Sequence, residues 1–98
     1  MNYDFCDAIS HLQILELSYD GYIRCVEPHA YGHSNAGYDV LRCWQVSGGS
    51  DANDSVRWKL LRVDEIRSLQ RLPQRFSGPR PGYKRGDDRD IAQIYCQL

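Results

Sequence analysis

Apolar residues recur at helical spacing only near the two ends of the chain. Between the ends, short alternating runs are separated by turn residues. Phe5, Ala8 and Ile9 stand at i, i+3, i+4 behind Asn2, a good N-cap, and predict a short helix over 3–10. Leu12 to Tyr19 alternates imperfectly and reads as a strand. Asp20-Gly21 then supplies the turn that most strongly signals a hairpin. The returning strand, Tyr22 to Tyr31, carries Pro28, a mark of a sheet edge or a bulge. After the turn cluster Gly32 to Gly37, a third strand over 38–46 puts Val40, Arg42, Trp44 and Val46 on one face. Leu41 and Cys43 fall on the other. Ser47 to Ser55 is a polar loop, and Val56 to Val63 a fourth strand. Asp64 to Ile66 reads as a tight turn or one 3₁₀ turn, and Arg67 to Leu72 as a fifth strand.

From Pro73 to Gly86 the prolines, glycines and cations predict an irregular basic arm. Asp87 to Leu98 is expected to be a helix, with Asp87 or Asp88 as cap and Ile91, Ile94, Tyr95 and Leu98 as its apolar stripe. Five short strands with tight connections give a mainly β fold class. The expected architecture is a small five-stranded SH3-like or Sm-like barrel over about 12–72. A short N-terminal helix precedes it, and an arm (73–86) and C-terminal helix (87–98) follow. Ninety-eight residues make one domain.

Composition changes this picture little: 42% hydrophobic, 26% charged, net charge −1. There is no overall basic field to capture nucleic acid. The charge is uneven, however. Most Lys and Arg lie between Arg57 and Arg89, whereas the chain before Gly21 has none and carries Asp4, Asp7, Glu16 and Asp20. A local basic face is therefore compatible with the sequence. The acidic N-terminus is unlike a secretory signal, and no apolar run reaches membrane-spanning length. A cytoplasmic protein with reduced thiols is the expectation. Cys6, Cys25, Cys43 and Cys96 form no close pair of the kind zinc sites use. Cys25, His29 and His33 share a register, but the plainer reading makes Cys25 and Cys43 small apolar residues. No metal or other cofactor is expected.

In order and spacing, several segments resemble the WYL domain, an Sm-like, SH3-type β-barrel of bacterial regulators. They are Ile14 to Tyr19; Arg24, Val26 and Pro28; Leu41, Arg42 and Trp44; Lys59 and Leu61 to Ile66; and Leu69, Leu72 and Phe76. The resemblance spans about 12–76. It implies the barrel, and a sensing role in transcriptional regulation with nucleic acid or nucleotide-like ligands. Asp39 and Val40 stand where the pattern has Trp and Tyr, and Glu65 where it has Arg. A strand beginning at Leu12 leaves no room for the helix-turn-helix that usually precedes such domains, so a stand-alone relative is expected.

Arg24, Arg42, Lys59 and Arg62 are the cations inside predicted strands, and His29 and Trp44 add hydrogen bonding and stacking. Arg forks suit phosphate and carboxylate, and cross-strand neighbours gather side chains into patches. These six residues are the candidate ligand site. The bland alternative is a solvated basic face with aromatics filling the core. No nucleophile elbow, P-loop or HExxH motif occurs, so no enzyme is expected. The sequence thus supports a regulatory module that binds an anion, either a nucleotide or single-stranded nucleic acid. The competing reading is a dimerisation or protein-interaction module that has lost the ligand pocket, which Asp39, Val40 and Glu65 favour. The arm Arg75 to Arg85 is read as wrapping the barrel, with Phe76 and Tyr83 as plugs, in preference to gripping a phosphate backbone.

Overall fold

The computed structural model describes residues 2–50 and 56–98. Helix α1 (Tyr3–Ser10) forms as its spacing predicts. The Asn2 side chain accepts from the Asp4 N–H, and Phe5, Ala8 and Ile9 are buried. Strands β1 (Gln13–Tyr19) and β2 (Tyr22–Ser34) make the hairpin. Asp20 (φ 51°) and Gly21 (φ 80°) both adopt left-handed backbone, as a two-residue primed turn requires. Strands β3 (Asp39–Gly48), β4 (Trp58–Arg62) and β5 (Ser68–Arg75) follow, with a 3₁₀ turn at Val63–Glu65 between the last two. The predicted loop over 47–55 lies partly outside the described residues.

All pairings are antiparallel, in the order β4-β3-β2-β1-β5. The expected barrel is corrected in two respects. Among the described residues β4 and β5 do not pair, so the sheet stays open. Part of the reason is local: the Arg62 N–H donates to the Tyr19 hydroxyl (3.1 Å), so a phenol takes the place of a fifth strand there. The second correction concerns the C-terminus. Residues 87–98 form no helix; Ile91–Gln97 is a sixth strand, β6, paired with Ala30–Ser34 of β2. β1 covers β2 only as far as Val26, which leaves the backbone groups of the last turn-ward stretch of β2 in need of partners. A strand supplies them and a helix does not. Ile91, Ile94 and Tyr95 are also good strand formers. Gly32 permits the approach, because a Cβ there would run into the backbone of β6.

Pro28 marks a bulge, as its missing N–H suggests: the β2–β3 register shifts between Pro28 and Ala30, at His29. β3 separates two cores. Leu41 and Cys43 join Phe5, Ala8, Ile9, Leu15, Leu17, Val26, Tyr31 and Leu61 beneath α1. Val40 joins Ala30 and Ile91 on the opposite face, with Leu60, Tyr83 and Ile94 packed around them. The arm crosses this second face, and Phe76 and Tyr83 do act as plugs: both rings pack on His29. The expectation of four reduced thiols is corrected as well. Cys6 of α1 and Cys96 of β6, 90 residues apart in sequence, are joined in a disulfide. No helix among the described residues is long and apolar enough to cross a membrane.

Candidate anion-binding site

The structure does not gather the six predicted site residues. Strand parity divides them between the two sheet faces. Arg42, Trp44 and Arg62 share the face that the arm covers, and Lys59 shares the other face with Cys43. Arg24 pairs with Leu17, a residue of the core beneath α1, so it too lies on that side.

Three of the six are already engaged within the molecule. His29 is fully buried. Its Nδ1 lies 2.8 Å from the Glu27 carbonyl and its Nε2 accepts from the Arg80 N–H at 3.1 Å. That pairing makes the ring a neutral imidazole carrying its proton on Nδ1. Burial holds its pKa below the usual histidine range. His29 thus fastens the arm to the sheet, between the rings of Trp58, Phe76 and Tyr83. Arg42 donates from Nε and Nη2 to Asp88 (2.6 and 3.1 Å) and from Nη2 to Asp90 (2.9 Å). Burial opposes its charge, but these carboxylates outweigh burial and raise its pKa. Arg62 forks onto the neighbouring Asp64 (3.1 and 2.8 Å), with its guanidinium 4.1 Å over the Tyr38 ring. Trp44 is a packing residue, edge-on to Trp58 and beneath the guanidinium of Arg80.

Arg24 differs from all of these. It is 3% exposed, yet no carboxylate among the described residues meets it. Nη2 donates to the Tyr19 carbonyl at 3.1 Å and Nη1 to Gln45 Oε1 at a long 3.4 Å; both acceptors are neutral. Nε is buried without any partner. The rings of Tyr19 and Tyr22 flank the guanidinium at 5.2 and 5.8 Å. Register places Arg24 opposite Gly48, at the end of β3, and a Cβ on Gly49 would collide with the Tyr22 ring. The backbone of 48–49 and Tyr22 therefore close over the cation. Tyr22 is 37% exposed.

Sequence reasoning missed the acidic partners. Glu27 is buried and takes a bidentate fork from Arg80 at 2.7 and 2.9 Å. Asp88 and Asp90 arrive from the short stretch between the arm and β6. A charged residue at an inward position beside Pro28 was the available signal for Glu27; nothing local marks Asp88 as a partner of Arg42. The Arg42 pairs with Asp88 and Asp90 line a cleft of about 570 Å³, walled by Trp58 and Tyr83. Arg42, Lys84 and Arg89 there face Asp87, Asp88 and Asp90, so the lining charges cancel and the cleft offers an anion no net attraction. The arm's basic character is thus spent partly inside the fold.

Reactive-thiol chemistry gains no support from Cys43, which is fully buried and has its pKa pushed up to about 12 by that burial. No group of three or more potential metal ligands occurs among the described residues. No protein family, curated protein or solved structure matches the chain.

Proposed function

We propose that this chain is a non-enzymatic binding module of WYL-like, SH3-type ancestry that takes a phosphate-bearing ligand on Arg24. Phosphate is the chemistry that a nucleotide and a single-stranded nucleic acid share. The observation that carries the reading is a buried guanidinium that has, among the described residues, no partner for Nε and no counter-ion. Buried charges are ordinarily paired, and an unpartnered buried donor calls for an explanation such as an absent ion. An oxyanion meeting Nε and Nη2 side by side would satisfy the group in the bidentate manner Arg favours. Outward rotation of Tyr22 would admit it, and the two tyrosine rings would flank the bound group. The strand order supports the architectural half of the proposal. A meander β1 to β4, with β5 returning to β1, is the order of a small barrel whose seam, here between β4 and β5, is open.

A second reading has its own observation. Arg42 and Arg62 carry internal carboxylates, and the outer edges of β4 and β5 have no strand partner among the described residues. Such edges suit pairing with another chain, so a dimerisation or protein-interaction module is the alternative.

Thermal shift against inorganic phosphate, nucleotides and short single-stranded DNA and RNA separates the two. A ligand that binds only the native state raises the melting temperature. The expected result is a shift that weakens with salt, disappears in Arg24→Met and persists in Arg62→Ala. An equal shift in Arg24→Met would refute the site. No shift with any probe, together with concentration-dependent self-association, would favour the edge-pairing reading.

A further inference from the structure

The fold sorts the four cysteines into three chemical situations. Cys43 is fully buried, with its pKa far above neutrality, and is inert. Cys25 is a half-buried free thiol. Cys6 and Cys96 are both half-buried, have Cα atoms 5.6 Å apart, and are bonded. Neither anion binding nor edge pairing uses that bond. We propose that Cys6 and Cys96 form a redox site that exchanges with a dithiol reductant of the thioredoxin class, and that it latches β6 to the body of the protein.

The placement supports this. The bond joins the first helix to the last strand and closes a ring of almost the whole chain, the geometry in which a cross-link restricts the unfolded chain most. The two sides it joins are held unequally. α1 is anchored by Phe5, Ala8 and Ile9 in the core, and by the Asn2 N–H donating to the Tyr31 hydroxyl. β6 is a short edge strand whose pairing with β2 breaks register twice, between Tyr31 and Gly32 and between His33 and Ser34. Its other ties are the Tyr95 hydroxyl on Asp39 (2.9 Å), the Leu98 N–H on the His29 carbonyl (2.8 Å), its own apolar contacts, and bonds at its end to the irregular arm, where the Gly86 N–H donates to Gln97 Oε1 (2.9 Å) and Arg85 Nε to the Leu98 carbonyl (3.0 Å). When the bond opens, β6 is the side free to lift. Lifting it uncovers the Ala30–Ser34 edge of β2, a row of backbone groups ready for another strand. Both cysteines are half-buried at the margin of the core beneath α1, unlike the fully buried Cys43.

The chemistry balances as ordinary exchange. A thiolate of the reductant attacks one sulfur, the Cys6–Cys96 bond breaks, and a mixed disulfide forms. The reductant's second thiol then displaces the protein sulfur. Two electrons and two protons pass to the protein, which becomes a dithiol, while the reductant becomes a disulfide.

The test equilibrates the full chain in graded mixtures of reduced and oxidised dithiothreitol. Free thiols are trapped by alkylation under denaturing conditions, and amide exchange is followed by mass spectrometry. The expected oxidised form has two alkylated cysteines, Cys25 and Cys43, and a Cys6–Cys96 cross-linked peptide. Reduction should yield four alkylated cysteines and speed exchange in Ile91–Gln97 by tenfold or more, with α1 changing less. Cys96→Ser should match the reduced wild type. Four free thiols in every mixture, or a bond involving Cys25 or Cys43, would overturn the assignment. A bond that forms without slowing exchange in β6 would overturn the latch. Wild type carries all of these readouts, so the test stands even if the variant folds poorly.

Discussion

Replacing Arg24 by methionine should make the protein more stable while removing its ligand. Arg24 is 3% exposed and has four contacts to set against its burial: one hydrogen bond of 3.1 Å, one of 3.4 Å, and two tyrosine faces. Bonds from a charged donor contribute about 1.5–3 kcal/mol in good geometry, and the 3.4 Å bond belongs at or below the bottom of that range. The two rings add about 0.5–1 kcal/mol each. Against them stands the cost of burying an unpaired cation, several kcal/mol even after relaxation, with about 1–3 kcal/mol of it belonging to the orphaned Nε. The balance is slightly unfavourable to the arginine. Methionine fills similar space without a charge and buries more apolar surface. The expected gain is about 1–2 kcal/mol, or roughly 4–8 °C per kcal/mol in a domain of this size.

The assay is urea unfolding in phosphate-free buffer, followed by Trp fluorescence, with the slope checked for constancy so that the midpoint reports stability alone. A loss of 2 kcal/mol or more in Arg24→Met would refute the reasoning. It would make the guanidinium a strut that holds the Tyr19 carbonyl and Gln45 in place, and the buried charge would no longer need a ligand to explain it.

Arg80→Ala should destabilise the fold by about 3 kcal/mol, because it strands the buried Glu27 carboxylate, whereas Arg80→Ala with Glu27→Gln should recover much of the loss; a double-mutant cycle in denaturant checks both. Gly32→Val should detach β6, since any Cβ meets the β6 backbone, and should raise exchange in Ile91–Gln97 while leaving α1 ordered; unchanged exchange would refute the close crossing. Stability should also fall as pH drops. The folded pKa of His29 lies below its unfolded value near 6.5, so the unfolded chain takes up the proton first. His29's contribution is complete above about pH 7 and is lost as pH falls below the unfolded value toward the folded one, at no more than about 1.4 kcal/mol per pH unit. Asp39 and Asp88 are likewise lowered, Asp39 by its hydrogen bond to His33 and Asp88 because Arg42 outweighs the effect of burial, so their losses begin only near pH 4 and below. A melting temperature that is flat or rising from pH 7.5 to 5.5 would contradict the buried neutral imidazole.

What the sequence made legible was local chemistry. The Asn2 cap, the Asp20-Gly21 turn, the β3 face assignment from Val40 to Trp44 and the bulge at Pro28 each depend on residues within a few positions of one another. The C-terminal strand was not legible, for a physical reason. Ile91, Ile94, Tyr95 and Leu98 satisfy helical spacing, and the deciding fact lies sixty residues away, where β2 outruns β1 and leaves an edge unpaired. The disulfide is illegible for the same reason, because it depends on β6 being a strand that passes beside α1.

The candidate site shows the same division more sharply, and the reasoning bears on function. Sequence can nominate cations in strands, but whether a cation is available to a ligand depends on which carboxylate reaches it first. Asp88 reaches Arg42 from beyond the arm across 46 positions, Asp64 reaches Arg62 across two, and Arg24 meets no carboxylate among the described residues. Two of those outcomes need the tertiary path of the chain, and only the Arg62–Asp64 pair is adjacent enough to be anticipated. Selection by elimination therefore turns a diffuse basic face into one residue. Arg24 also sits where the hairpin's tyrosines and the end of β3 converge, beside the partly exposed ring of Tyr22. A patch of solvated cations would bind any polyanion weakly and lose it to salt. One desolvated guanidinium behind a movable ring can bind fewer ligands but discriminate among them, because a group that fails to satisfy Nε gains nothing for opening the site. Discrimination of that kind is what a sensing module requires, and it depends on the fold leaving the buried Arg24 without a carboxylate among the described residues.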